Sequence, residues 1–385
     1  MKQPLCWAVS MCIAGAITQA AASEPRYRVQ AFGSLGGSSS LGASINDRGW
    51  VVGRSNLPGN QTRHATLWKD GRTIDLGTLG GPNSVAVWPV KNILGVISGI
   101  AQTAEPDPYN EPWSCSAFFP AATNKGYRCV GFRSRNGVMQ ALPTLGGTHG
   151  YAAGTNNLLR TVGWAENATL DPTCTAPQRF QFRAVMWGPD GKVERELAPM
   201  SGHSTSAATA LNDFGQVVGI SGECDQAVGR RSAISAVLWE GRRTTVIPTF
   251  GGTAWNTPTA ISPFGTVVGF ANASAASGDG FDPRAFIWSR GAGTRALAKL
   301  EEDTASQASG INLWNQVVGQ SCDAAGTCRA VLWQRGKVYD LNDLVGTSTL
   351  YLYAANDIDN LGRIAGQAYD TVAQVYVAFR ADPVR

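Results

Sequence analysis

The chain has 385 residues, 43% of them hydrophobic and 16% charged, with a formal net charge of +4 and no block of like charges. Phosphate-tracking nucleic-acid binding depends on a basic stripe, and none is visible along the sequence. The 45 glycines speak for many tight turns between short strands, and no stretch of a dozen residues carries a helical period.

From the N-terminus, Lys2, the apolar run from Leu5 to Ile17 and the small residues Ala20-Ala21-Ala22 read as a signal peptide over residues 1–22. The run is too short to span a bilayer and contains Gly15, which argues against a membrane anchor. The expectation is a soluble, monomeric, extracellular or periplasmic protein with no membrane attachment after cleavage. Cys6 and Cys12 leave with the signal, and Cys115, Cys129, Cys174, Cys224, Cys322 and Cys328 remain. An even number in an exported chain favours disulfides, and no CxxC or His/Cys spacing suggests zinc.

Residues 23–385 read as one domain because one stretch keeps returning. Ile45-Asn46-Asp47-Arg48-Gly49-Trp50-Val51-Val52-Gly53 lines up with segments ending at Gly99, Gly163, Gly219, Gly269, Gly319 and Gly366. The place of Asn46 is taken by Asn92, Asn156, Asn212, Ser262, Asn312 and Asp359, at steps of 46, 64, 56, 50, 50 and 47 residues. Such a period fits propeller blades or two-helix repeats. Asn or Asp three residues before Gly, between β-branched runs, is a hairpin turn and decides for the blade.

In the fourth unit, Thr205 to Leu211 and Gln216 to Ile220 flank the turn. Ala236 to Trp239 makes the third strand and Thr244 to Ile247 the fourth. The third strand returns with Trp68, Trp187, Trp288 and Trp333, a once-per-blade placement that assigns these indoles to the inter-blade core. It is headed by His64, Arg183, Arg284 or Arg329, the three arginines read as structural anchors for loop carbonyls rather than as a ligand site. In the second unit Arg128 to Phe132 takes this place behind a long insertion.

Units of about 34–77, 78–143, 144–198, 199–248, 249–298, 299–342 and 343–385 follow. The last lacks a fourth strand, and Tyr27 to Gly33 supplies a spare one. The prediction is an all-β, seven-bladed β-propeller of four antiparallel strands per blade, closed by the N-terminal strand.

Asp75 to Gly81, the Ile45 and Leu211 stretches, His64-Ala65 and Arg284-Ala285-Phe286 together resemble the HAF repeat of exported bacterial proteins, over about residues 27–385. The resemblance implies a secreted repeat protein whose motifs are structural. Glu301-Glu302-Asp303 in place of a Gly-Gly junction and Arg380 in place of Trp depart from the pattern. Similar proteins carry a C-terminal sorting segment that the end at Pro383-Val384-Arg385 does not show, which points to free secretion or the periplasm.

Blade topology puts the second-to-third-strand loops and the blade junctions on one face, and the Asn-x-x-Gly and Trp-proximal turns on the other. The turns are short and uniform, as a scaffold would be; the loops vary, and variable loops on a rigid frame are where binding sits. Pairing of Cys322 with Cys328, Cys115 with Cys129 and Cys174 with Cys224 would restrain those loops. Tyr151, Trp255, Trp113 and Trp164 are candidate ligand-binding aromatics, with packing beneath the loops as the alternative. His149 and His203, with Glu301 or Glu302, are candidates for catalysis or a divalent cation, against a reading as separate surface groups. Glu223, Asp225 and Asp171 offer carboxylates for glycoside hydrolysis. No nucleophile elbow, phosphate loop or dinucleotide fingerprint occurs, so no cofactor is expected beyond a structural divalent cation.

The leading expectation is a non-enzymatic scaffold binding an extracellular glycan or protein through the loop-rich face. A propeller glycoside hydrolase or lyase and a structural envelope protein are the alternatives.

Overall fold

A computed structural model describes residues 24–87, 92–111, 113–225 and 229–384, apart from the side chains of Trp113 and Ser114; the signal peptide expected over residues 1–22 lies outside them. The described strands form seven four-stranded antiparallel sheets, six of which run in simple chain order. The seventh is made of Leu350–Ile358, Ile364–Asp370 and Val375–Pro383, with Tyr27–Ala31 as its outer strand. Val29 pairs with Ala381 and Ala31 with Phe379. The expected closure is therefore observed, and blades 1 to 7 are numbered here from residue 40 onward.

Each blade begins at the channel, and its turn follows from the repeated residues. The Asn46 Oδ1 accepts from the backbone N–H groups of Arg48 and Trp50, and Asn156, Asn212 and Asn312 do the same in their blades. An Asx side chain that satisfies two turn amides fixes the hairpin. The amide Nδ2 then reaches the next blade: Asn46 to the Asn92 carbonyl at 3.1 Å, Asn156 to Asn212 at 3.1 Å, Asn212 to Ser262 at 3.1 Å and Asn312 to Asp359 at 2.9 Å. One residue thus sets both the turn and its height against the neighbour.

The Val-Val-Gly ending also has a structural cause. Six of the inner strands carry a register shift at one place, as between Ala208 and Ala210. This bulge drives a carbonyl against the second strand. A Cβ on Gly219 would lie 2.1 Å from the Ala207 oxygen, and one on Gly53 1.9 Å from that of Leu41. Only glycine fits.

Between blades, apolar packing dominates and a few polar contacts set register. Trp187 and Trp239 are buried, and their indole N–H groups donate to the carbonyls of Pro143 and Ala198 in the preceding junctions. The Ser206 and Ser306 hydroxyls accept from Ala184 N and Ala285 N of the blade before. The third-strand arginines behave otherwise than expected. Arg329 binds the carboxylate of Asp303, as His64 binds that of Asp75, and Arg183 the Gln181 side chain, because at these positions side chains rather than bare carbonyls face them.

Candidate functional site

On the loop-rich face, all three expected disulfides are present: Cys115–Cys129, Cys174–Cys224 and Cys322–Cys328. The first holds the second-unit insertion, including the short helix Trp113–Phe118. The second ties blade 3 to blade 4.

Beneath that insertion lies a sealed cluster of ionisable groups. The side chains of His149 and Asp107 are both 0% exposed and stand 3.5 Å apart; Glu111 and Glu166 are buried beside them. Glu166 accepts from the backbone N–H of Thr148 and His149, and Glu111 from that of Phe180. Burial, followed by the Glu166 charge, pushes the Glu111 carboxyl up to about 7. Burial opposes charge on His149, but Asp107, Glu166 and Glu111 outweigh it and raise its pKa. Burial likewise works to raise the Asp107 carboxyl, and the His149 ring with the N–H groups of Tyr109 and Glu111 holds it below its ordinary range. The cluster clamps the insertion onto blade 3.

The catalytic candidates are not gathered together. His203 is half-buried, accepts or donates at Ser221 Oγ over 2.9 Å, and has its pKa lowered by burial. Glu301 and Glu302 are exposed at the junction of blades 5 and 6. Among the described residues, two groups of His, Cys, Asp and Glu bring their donor atoms within 4.8 Å of one another: Cys115, Cys129 and His149, and Asp171, Cys174 and Cys224. In each, two donors are disulfide sulfurs, which are poor metal ligands. Glu223 and Asp225 are held by Arg231 and Arg230.

The aromatic candidates are placed by packing. Tyr151 and Trp164 are 1% and 3% exposed; Tyr151 stacks on Trp164 and Phe118, and Trp164 packs at a tilt against Phe182, so they form interior rather than a platform. Trp255 is half-buried against Phe281 and donates to the Asp279 carbonyl. Trp113 lies on the insertion helix, and its side chain is outside the described set.

The opposite face holds what the sequence reading passed over. In six blades the residue two after the Asn, Ser or Asp that opens the repeated turn is Leu94, Leu158, Phe214, Phe264, Trp314 or Leu361, and these are 39%, 53%, 77%, 75%, 66% and 63% exposed. Only blade 1 differs, with the exposed Arg48. Turn positions of this kind are ordinarily polar, and large apolar side chains recurring on one face mark an interaction site where single ones do not. The next residue of most turns takes a left-handed conformation, as at Gly215 (φ 78°), Gly265 (φ 79°) and Asn315 (φ 57°), which keeps the hairpins alike and the apolar side chains at one level.

Inside this ring is the channel mouth, a cavity of about 100 Å³ lined by Asp47, Asn92, Asn157, Asp213, Pro263 and Asn360 among others. Its carboxylates are engaged: Asp213 binds the side chain of Asn157, and Asp47 that of Asn360. Outside the ring, the larger groove between blades 5 and 6 runs from Trp288 past Arg295 and Trp314 to Lys337.

No protein-family model matches the chain, and no curated protein matches it. Among solved structures, AofleA from Arthrobotrys oligospora aligns at 8% identity over 82% of this chain and 89% of that one, with a TM-score of 0.33. A mutant of it carrying three arginine-to-alanine changes aligns at 9% identity over 82% and 90%, again at 0.33. A likeness that distant says nothing further about this chain.

Proposed function

We propose that the protein is an exported, non-enzymatic binding scaffold that meets an envelope or extracellular ligand through the turn face. The observation that carries this reading is the ring of six exposed apolar side chains at one repeated turn position. Six separate turns would not each expose an apolar group by chance. A closed propeller holds their turns in fixed relation before binding, which lowers the ordering cost. Export is supported by the three disulfides, which persist in oxidising compartments. Likeness to the HAF repeat points the same way. Burial of Tyr151 and Trp164 moves the proposed surface away from the loop-rich face, and the sealed His149 cluster offers no open site to a substrate.

The test is co-sedimentation of the mature protein with purified envelope fractions. Phe214, Phe264 and Trp314 are changed together to Ser in one variant; Leu170 and Val372, exposed on the other face, are changed to Ser in a second. Loss of about tenfold in binding for the first variant alone supports the reading, since apolar anchors dominate such contacts. Equal binding by both variants overturns it.

A further inference from the structure

The turn face is not only apolar but ringed by positive charge. Six blades end on this face in a turn between the third and fourth strands. Blade 1 places Lys69 and Arg72 there, blade 4 Arg242 and Arg243, and blade 6 Arg335 and Lys337. Arg135, Lys192 and Arg290 occupy the corresponding turns of blades 2, 3 and 5. The acidic residues of these six turns are Asp70, Asp190 and Glu240, the last paired with Arg290. The carboxylates of the inner turns are drawn inward, Asp47 and Asp213 to amides at the channel mouth and Asp359 to Arg363. On the other face Glu105, Asp279, Asp282, Glu301 and Glu302 are exposed, the first and second of them close to Arg128 and Arg231. The turn face thus carries a basic rim although the net charge of the chain is only +4.

We infer that the turn face docks on a bilayer of anionic phospholipid, with the six apolar side chains entering the headgroup–acyl boundary and the outer cations lying against the headgroups. This rests on the scaffold reading above and names its ligand. Interfacial binding grows with apolar area placed in the boundary and with attraction to anionic lipid. Here the two contributions are arranged concentrically, apolar within and basic without. The common level of the turns suits a flat surface. Trp314 has a suitable form for the boundary, with its indole N–H already donating to the Asn360 carbonyl at 2.9 Å. A second copy, face to face, would bring two basic rims together. Head to tail, the ring would meet the loop-rich face, whose exposed Leu170, Phe281 and Val372 stand singly on separate blades. The first sets the like-charged rims against each other although the apolar rings would match, and the second offers no matching apolar ring.

The test is flotation of the mature protein with vesicles of phosphatidylcholine alone or mixed with phosphatidylglycerol, at low and high salt. Wild type is expected to bind the mixed vesicles about tenfold better than the neutral ones, and to lose most of that preference at high salt. Phe214, Phe264 and Trp314 changed together to Ser should abolish binding to both. Arg242, Arg243 and Arg335 changed together to Glu should remove only the preference for phosphatidylglycerol. No binding to mixed vesicles, or unchanged binding by the Ser variant, overturns the inference. If wild type ignores vesicles yet sediments with envelope fractions in a ring-dependent way, the lipid assignment fails and the scaffold reading stands. If both assays are negative, both fail. A dimer in sedimentation velocity that the Ser variant loses assigns the ring to a second copy and also overturns the inference.

Discussion

The hydroxyl of Ser40, in the inner strand of the first blade, accepts a hydrogen bond from the backbone N–H of Ala378, in the last blade, at 2.9 Å across 338 residues. It is the same contact that Ser206 makes to Ala184 and Ser306 to Ala285. The seam where the ring closes is thus bonded like the ordinary joints between blades, and it also gains the pairing of Tyr27–Ala31 with the final strand.

Ser40→Ala leaves a buried N–H without its acceptor, which costs about 1–3 kcal/mol. Ser206→Ala should cost a similar amount. Urea unfolding of both variants would show equal losses if the seam is an ordinary joint. A far larger loss for Ser40→Ala would make the seam the weak point.

Gly219→Ala puts a methyl group 2.1 Å from the Ala207 oxygen, a distance the bulge cannot accommodate without moving backbone. The expected destabilisation is about 2–4 kcal/mol. Gly71→Ala, with φ 73° and open space around it, meets only the left-handed penalty of about 1 kcal/mol. Thermal unfolding of the two variants should rank them in that order.

The buried Glu111 makes stability depend on pH. Its native pKa lies near 7, above its ordinary 4.5, so between those values the folded state holds a proton that the unfolded state has released. Stability contributed by the neutral carboxyl is present below about 4.5 and declines as pH rises toward 7. His149, also raised, acts with the same sign: it favours the fold below 6.5, and that contribution is lost as pH passes its native pKa. Asp107, held low, acts only in acid, where its contribution disappears below its ordinary 3.8. Melting temperature should therefore fall from pH 5 to pH 8, and Glu111→Gln, which keeps the acceptor for Phe180, should flatten the slope. An unchanged slope in that variant removes Glu111 from the account.

The disulfides should differ in worth according to the chain they enclose. Cys174 and Cys224 are 50 residues apart, Cys322 and Cys328 six. Chain-entropy reasoning gives about 4 kcal/mol for the first and about 2 for the second. Paired Cys→Ser replacements, compared by denaturant unfolding, should keep that order.

The blade count, the closure and the three cysteine pairings were legible in the sequence because each rests on a local rule repeated often. Asn46 and its counterparts announce a turn, Gly53 and its counterparts a bulge, and Tyr27 to Gly33 a strand without a blade. The roles of single residues were less legible. Tyr151 and Trp164 stand in loop-proximal sequence but face inward, since the insertion of blade 2 covers them; that follows from tertiary packing, which spacing alone does not encode. His149 and His203 begin adjacent blades at matching places, yet one is enclosed by Asp107, Glu111 and Glu166 and the other is half-buried with its ring bonded to Ser221. The apolar ring was written plainly in the copies, as Leu94, Leu158, Phe214, Phe264, Trp314 and Leu361 at one position. Its meaning is hidden by the uniformity of the turns, which in sequence have the form of plain connectors.

The outer strand of the seventh blade has a consequence for biogenesis. Residues 27–31, among the earliest made, have no lasting place until residues 375–383 arrive. A nascent chain is an open arc whose two ends both expose unpaired backbone, and the arc is not safe from self-association until residues 375–383 have been made. Assembly therefore has a built-in checkpoint at residues 375–383: their loss should strand residues 27–31 as well, and the damage would appear at two places far apart in the polypeptide at once.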